Sequence, residues 1–254
     1  MTPPPSLPCP ARVVVLAGGR GTRLRPYTAV LPKPLMPVGD RPILDIILRQ
    51  LHRHGFRDVT IATGHLAQLV ETFFGNGSEV GLHLDYHRET EPLGTVGALA
   101  TVPGLGSGPF LVMNGDVLTD LDYAELLTEH VRSGAAATIA VARRTVQISL
   151  GVMHFDDHAD DSRVTDYVEK PTLEYEASMG VYCFSPQVLE YLSPGAYLDF
   201  PDLVLRLVKS GETVRAWRPD AYWLDIGRHD DYEQAHAEFE QMRSRLLPDD
   251  LVVS

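Results

Sequence analysis

Lysine is almost missing from this chain of 254 residues: Lys33, Lys170 and Lys209 are its only three, and arginine supplies the rest of the 22 basic residues. Two of those lysines stand directly before a proline, a placement that suits a compact point charge aimed by a stiffened loop. Cysteine is scarcer still. Cys9 and Cys183 are too few for a disulfide framework and read as thiols, so the expected compartment is the cytoplasm. No apolar run approaches the roughly 20 residues of a membrane span, and no membrane partner is expected. The opening Met1-Thr2-Pro3-Pro4-Pro5 lacks a basic stretch followed by an apolar one. It reads as a disordered Pro-rich tail over 1–11 rather than a secretory signal. An excess of positive charge is absent as well. Acidic residues outnumber basic ones 34 to 22, for a net charge of −12, which excludes the broad basic face of a nucleic-acid binder.

One segment runs against that acidic background. The apolar stretch Val13-Val14-Val15-Leu16 reads as a short buried strand, and it is followed by Ala17-Gly18-Gly19-Arg20-Gly21-Thr22-Arg23-Leu24. A Gly-rich turn presents successive backbone N–H groups to an anion because no Cβ blocks the approach. Arg20, Arg23, Arg25 and Lys33 crowd cations into the same stretch. Bare donors and cations together suit a small, highly charged anion such as a nucleoside triphosphate. Two familiar phosphate loops do not match. A dinucleotide fingerprint started at Gly19 meets Leu24 where a third Gly or Ala belongs, which argues against a nicotinamide oxidoreductase. A Walker loop counted from Gly19 or Gly21 lands on Leu24 or Pro26.

Strand-like and helix-like periods alternate through the first half. Ile43, Ile46, Ile47 and Leu51 mark one helix face, 58–62 a strand, and Leu66, Leu69, Val70 and Phe73 a second helix. Val80, Leu82, Leu84 and Tyr86 alternate as in a half-exposed strand, 110–113 reads as a buried strand and 123–133 as a helix. This order predicts an α/β fold with a mostly parallel sheet and helices on both faces. From Ala135 strands dominate, at 138–143, 151–155, 164–168 and 180–184. This part is expected to extend the sheet and to place an antiparallel section over the acceptor site. A helix at 199–209, strands near Val214 and Tyr222, and a long polar helix from 230 to about 246 complete the pattern. A single domain over 12–254 is expected, with working parts at 12–134, 135–229 and 230–254.

The stretch LAGGRGTRLRPYTAVLPKPLMPV, residues 16–38, resembles the signature of the sugar-phosphate nucleotidyltransferases, which join a nucleoside triphosphate to a sugar-1-phosphate and release pyrophosphate. Asn114-Gly115-Asp116, Glu169-Lys170-Pro171 and Trp223-Leu224-Asp225-Ile226-Gly227 follow in the family's order. The resemblance implies a Rossmann-like, glycosyltransferase-A-like nucleotidyltransferase fold. Larger relatives can carry a C-terminal β-helix, and none is expected in this chain. The segment Glu91-Pro92-Leu93-Gly94-Thr95-Val96-Gly97-Ala98-Leu99 is expected to help read the base, and with Thr63-Gly64-His65-Leu66-Ala67 it looks closest to the mannose-1-phosphate and heptose-1-phosphate guanylyltransferase branch. GTP is therefore the favoured donor, with dTTP, UTP, ATP and CTP as alternatives. A catalytically silent nucleotide-sugar-binding regulatory protein on the same fold is the alternative from another class. Homo-oligomers are common in the family, and the sequence does not set their number.

The chemistry explains the residue types. A sugar phosphate is largely ionised at neutral pH, its second pKa being about 6, so no general base is required. Two polyanions must instead be held in line while charge builds on the α-phosphorus and on pyrophosphate. By the family match, Arg23 and Lys33 are the catalytic cations. Leu16, Ala17, Gly18, Gly19, Gly21, Thr22, Gly94 and Thr95 hold the nucleotide. Asn114, Gly151, Glu169, Lys170, Ser178 and Gly180 hold the sugar phosphate. Asp116 and Asp225 follow candidate strands and match the pair that binds Mg²⁺, a cation commonly held by one or two carboxylates plus substrate phosphates. Asp120 and Asp122 read as turn or cap residues, and His229 as structural. The chain departs from the family at Ser178-Met179-Gly180, where relatives carry Asn-Ala-Gly, so an unusual sugar is expected.

Overall fold

The computed structural model describes residues 11–89, 91–156 and 163–248. The expected tail up to residue 10, with Cys9, and the last residues from 249 lie outside the described residues, while Ala11 packs against the core. The chain begins with β1 (Arg12–Ala17), then the two-residue strands β2 (Pro37–Val38) and β3 (Arg41–Pro42), and α1 (Ile43–Arg53). Next come β4 (Asp58–Thr63), α2 (Ala67–Phe74), β5 (His83–Arg88), β6 (Phe110–Asn114), β7 (Val117–Thr119) and α3 (Tyr123–Ser133). The second half holds β8 (Ala137–Gln147), β9 (Gly151–Phe155), β10 (Val164–Glu169), β11 (Thr172–Phe184) and α4 (Phe200–Lys209). It closes with β12 (Val214–Trp217), β13 (Trp223–Asp225) and α5 (His229–Leu246).

Seven strands form the central sheet in the order β12-β8-β11-β6-β1-β4-β5. The pairs β1–β4, β1–β6, β4–β5 and β8–β12 are parallel, and β11 alone runs antiparallel to both of its neighbours. The sheet is thus mixed and mostly parallel, as the alternating pattern predicts. Its central strands β1 and β6 are almost wholly apolar because both faces are covered there. Val13 and Val15 face the side packed by α1, α3 and α5, with Leu111 and Met113 of β6 beside them. Val14, Phe110 and Val112 face the other side, where Phe200, Leu203 and Leu207 of α4 close the second core layer. The strand period of two therefore divides one apolar run between two cores.

Local expectations differ from the structure at three places. Residues 78–80 form a 3₁₀ turn, and β5 starts only at His83, because the left-handed Gly77 and Gly81 break the extended run. The strand expected near Tyr222 begins one residue later, since the Tyr222 N–H is donated to Asp120 Oδ1 at 2.8 Å. The strand expected at 180–184 is the second half of β11, whose first half, from Thr172 to Glu176, pairs with β8 and is exposed. An exposed ribbon of that kind carries no core-facing alternation for a sequence reading to detect. Asp122 caps α3 as expected, accepting the N–H groups of Ala124 and Glu125, each at 2.9 Å.

His130 of α3 is buried and ties that helix to the sheet. Ser185 Oγ donates to the Ala135 carbonyl at 2.8 Å, so it accepts from His130 Nε2–H at 3.1 Å. Nδ1 is left to accept the Thr138 hydroxyl at 2.8 Å. Burial lowers the imidazole pKa from 6.5 to about 4. The unfolded chain then takes up this proton before the folded one does, and stability is lost as pH falls through that window. Between neutral pH and pH 4 the loss is on the order of 3 kcal/mol. Urea unfolding of the parent and of His130→Gln should diverge by about that amount on acidification; parallel pH profiles would rule the account out.

Candidate functional site

The parallel strands β1, β4 and β6 end side by side. Leu16 lies beside Asn114, Ala17 beside Thr63, and the Gly115 N–H donates to the Leu16 carbonyl at 2.9 Å. Beyond these carboxyl ends opens a cavity of about 450 Å³. In open α/β sheets this is where ligands sit, since the chain must leave each strand there and its loops diverge. Leu16, Ala17, Gly18, Gly19, Gly21 and Thr22 line it, as do Arg23, Lys33, Gly94, Thr95, Asn114 and Asp116.

The Gly-rich loop is held from beneath. Gly21 adopts φ +58°, and its carbonyl accepts from the Leu24 N–H at 2.9 Å and the Thr28 hydroxyl at 2.8 Å. A Cβ there would stand 2.9 Å from Thr28 Cγ2, so glycine is required. Leu24 is fully buried and pins the turn. The hydrogen bonds that close the turn start from the N–H groups of Leu24 and Arg25, so the turn does not consume the donors from Gly19 to Thr22. Lys33 opens a 3₁₀ turn closed by bonds from Leu35 to Pro32 at 2.8 Å and from Met36 to Lys33 at 3.0 Å. Buried Leu35 and Met36 anchor that turn in the core.

Strand pairing joins the two aspartates. β13 runs antiparallel to β7 with Asp225 opposite Val117, and the Ile226 N–H donates to the Asp116 carbonyl at 3.0 Å. Lys33 Nζ donates to Asp116 Oδ2. The other carboxylate oxygen, Asp116 Oδ1, is buried and has no hydrogen-bond partner. Burial raises the pKa of Asp225 and so does the charge of Asp116, against the opposing pull of Lys33 and Arg23. All four groups therefore act on one another across a short, partly desolvated space.

Six residues expected in the site are not among those lining the cavity. Asp225 has been placed beside Asp116 above. Ser178 and Gly180 sit at an irregularity in β11, where the pairing with β8 shifts register. A Cβ on Gly180 would come within 2.7 Å of Asn114 Nδ2, so this bend lies directly behind Asn114. Ser178 Oγ donates to Tyr182 Oη at 3.2 Å, and Asp116 and Asp225 both help raise the pKa of that tyrosine. Gly151, Glu169 and Lys170 belong to the β9–β10 hairpin, in which Gly151 pairs with Glu169. Tyr167 Oη donates to Glu169 Oε2 at 3.1 Å, and Lys170 Nζ lies 4.0 Å from Glu169 Oε1 with both side chains largely exposed.

The cavity also holds residues the sequence reading did not select: Glu89, Pro92, Gly115, Tyr197 and Asp199. Glu89 stands two residues ahead of the segment 91–99 that was expected to read the base. Its Oε1 lies 3.2 Å from where a Gly18 Cβ would be, and burial raises its pKa against a bond from the Leu93 N–H. Tyr197 and Asp199 precede α4, where only a helix start was visible. His229 is structural as expected, its Nε2 meeting the Arg25 carbonyl at 2.8 Å.

Residues 12–242 match the family model described as nucleotidyl transferase. The chain is 33% identical over 243 residues to a UTP–glucose-1-phosphate uridylyltransferase of Synechocystis, covering 88% of this chain and 62% of the relative. It is 33% identical over 232 residues to a mannose-1-phosphate guanylyltransferase of Mycobacterium tuberculosis, covering 89% and 63%. The chain thus spans less than two thirds of the length of these curated relatives. Among solved structures, HddC from Yersinia pseudotuberculosis in complex with GMP-PN superimposes with a TM-score of 0.68 at 26% identity, covering 90% of this chain and 99% of that one. With its fold, its loop and its family match in agreement, the chain belongs to the nucleotidyl transferase family.

Proposed function

We propose that the protein transfers a nucleotidyl group from a nucleoside triphosphate, GTP in preference, to a sugar-1-phosphate. The observation that carries this is the convergence of Arg23, Lys33, Asp116 and Asp225 at the mouth of a cavity floored by the Gly-rich loop. A phosphate oxygen of the sugar phosphate attacks the α-phosphorus. The bond from that phosphorus to the bridging oxygen breaks, and pyrophosphate departs with the electron pair. Arg23 spans phosphate oxygens with its planar fork, Lys33 supplies a point charge, and the loop N–H groups cradle the triphosphate. Asn114, Ser178 and Gly180 form the acceptor side next to the acid pair, with Gly151, Glu169 and Lys170 contributed by the hairpin.

The residues fit a divalent cation. Asp116 carries a buried, unpartnered carboxylate oxygen, and the charge of Asp116 bears on Asp225. Asp116 and Asp225 would hold Mg²⁺, which when bound offsets charge on the phosphates.

The preference for GTP rests on Glu89. A carboxylate only accepts hydrogen bonds. Guanine presents two adjacent donors on one edge, an imino N–H and the exocyclic amino group, whereas uracil presents a single N–H between two carbonyls that repel the second oxygen. Relatives named as guanylyltransferases fit this reading, and the Synechocystis uridylyltransferase keeps UTP in the comparison.

Pyrophosphate release from GTP, UTP, dTTP, ATP and CTP against a panel of sugar-1-phosphates tests activity, base and sugar together. GTP should lead; binding of a nucleotide sugar without any turnover would favour the silent regulatory reading. Glu89→Gln gains a donor beside its acceptor, and the ratio of kcat/KM for GTP over UTP should fall at least about tenfold, an unpaired polar group in a pocket costing that much or more. Asp116→Ala should reduce turnover by about 10³-fold or more while leaving the circular dichroism spectrum unchanged; near-normal rates at saturating Mg²⁺ would refute the metal assignment. Arg23→Ala should lower kcat, and an effect confined to KM would assign Arg23 to ground-state binding.

A further inference from the structure

Part of the cavity wall is built from two segments far apart in sequence, 92–97 and 196–200. Val96 N–H donates to the Leu198 carbonyl at 3.1 Å, and Leu198 N–H to the Leu93 carbonyl at 2.9 Å. The two backbones are in van der Waals contact. A Cβ on Gly94 would stand 2.5 Å from the Leu198 carbonyl oxygen, and one on Gly97 2.6 Å from that of Ala196. Both glycines are thus explained by the segment that lies on them.

Side chains lock the same junction. Asp199 occupies the N-cap position of α4, yet its carboxylate makes no capping bond to its own helix. Its Oδ1 accepts the Thr95 N–H at 3.0 Å and the Thr95 hydroxyl at 3.4 Å instead. Thr95 Oγ1 in turn accepts the Phe200 N–H at 2.7 Å, doing for α4 what the aspartate does not. The remaining carboxylate oxygen, Oδ2, accepts the Tyr197 phenol at 2.6 Å. Tyr197 is 62% exposed and is among the residues that line the cavity, with its hydroxyl already engaged by Asp199. A tyrosine held by its hydroxyl and bare on its ring offers a π-face at a fixed angle.

We propose that Tyr197 is a nucleoside-binding residue whose ring covers the base, and that Asp199 is the positioning residue that aims it while clamping the 92–97 loop. This rests on reading the cavity as the nucleotide site. Tyr197 lines the cavity with Pro92, Gly94 and Thr95, a wall without cations, and a base lies there if the triphosphate meets Arg23 and Lys33. Stacking is tolerant of base identity, so Tyr197 adds affinity for every nucleotide and leaves the choice of base to other contacts.

Titration calorimetry of the full chain with GTP and, separately, with inorganic tripolyphosphate tests the assignment, both in the presence of Mg²⁺. Tyr197→Ala should weaken GTP about tenfold or more and leave tripolyphosphate unchanged, the loss expected for one stacked base. Tyr197→Phe, which keeps the ring, should recover most of that loss, and Asp199→Asn should fall between the two. Equal weakening of both ligands, or parental GTP affinity in Tyr197→Ala, would overturn the role of Tyr197 alone. A parent chain that binds none of the five nucleoside triphosphates would overturn the nucleotide reading and this inference with it.

Discussion

Two carboxylates forced together beside two cations are the constraint around which the rest of the structure is arranged. Asp116 and Asp225 repel each other, and burial strengthens that repulsion. Nothing in their own chemistry would bring them close. Backbone hydrogen bonds between β7 and β13 do so, reinforced by the bond from Ile226 to the Asp116 carbonyl. Behind this small sheet, the Trp223 indole N–H donates to the Met179 carbonyl at 2.9 Å, and the Arg144 guanidinium covers the Trp223 ring. The repulsion of a like-charge pair is thus carried by a small sheet that Leu118 and Leu224 anchor in the core.

Lys33 relieves part of that repulsion through its contact with Asp116 Oδ2, but it cannot serve both oxygens. The orphaned Oδ1 records what remains to be satisfied. The prolines on either side of Lys33 and the buried Leu35 and Met36 hold the ammonium group where it can face either a carboxylate or an incoming phosphate. An arginine in that turn would demand a planar bidentate partner, and this chain, which otherwise replaces lysine so thoroughly, keeps lysine here.

The parts legible in the sequence were those whose physics is local. The run from Val13 to Leu16 had to be a covered strand, and the glycines after it had to form a turn. The helices at 43–53 and 123–133 followed from their apolar spacing, and Asp122 from cap chemistry. The expected loop residues and Lys33 line one cavity, because they lie within one short stretch. What escaped was non-local or exposed. The first half of β11 has no buried face to impose alternation. Glu89 looks like any acidic residue at the end of a strand until Gly18 is seen against it. Asp199 looks like a helix cap, and only its partner Thr95, supplied by a distant loop, shows that its carboxylate is spent elsewhere.

The overall charge poses a last question for the proposed function: how a chain of net charge −12 would recruit two polyanions. The answer lies in range. At physiological ionic strength the field of exposed charge decays over about 8 Å, so most of the acidic surface is not felt at the cavity mouth. What an approaching triphosphate meets is the local set, with Arg20, Arg23 and Arg25 exposed on the loop and Lys33 just inside. Those charges sit where the parallel strands deliver the loop. On the proposed reading, a polyanion with an uncharged base at one end would be oriented by the same field that attracts it, phosphates toward Lys33 and base toward Gly94 and Tyr197. The acidic remainder then works in the same direction, since a triphosphate that approaches any other face is repelled.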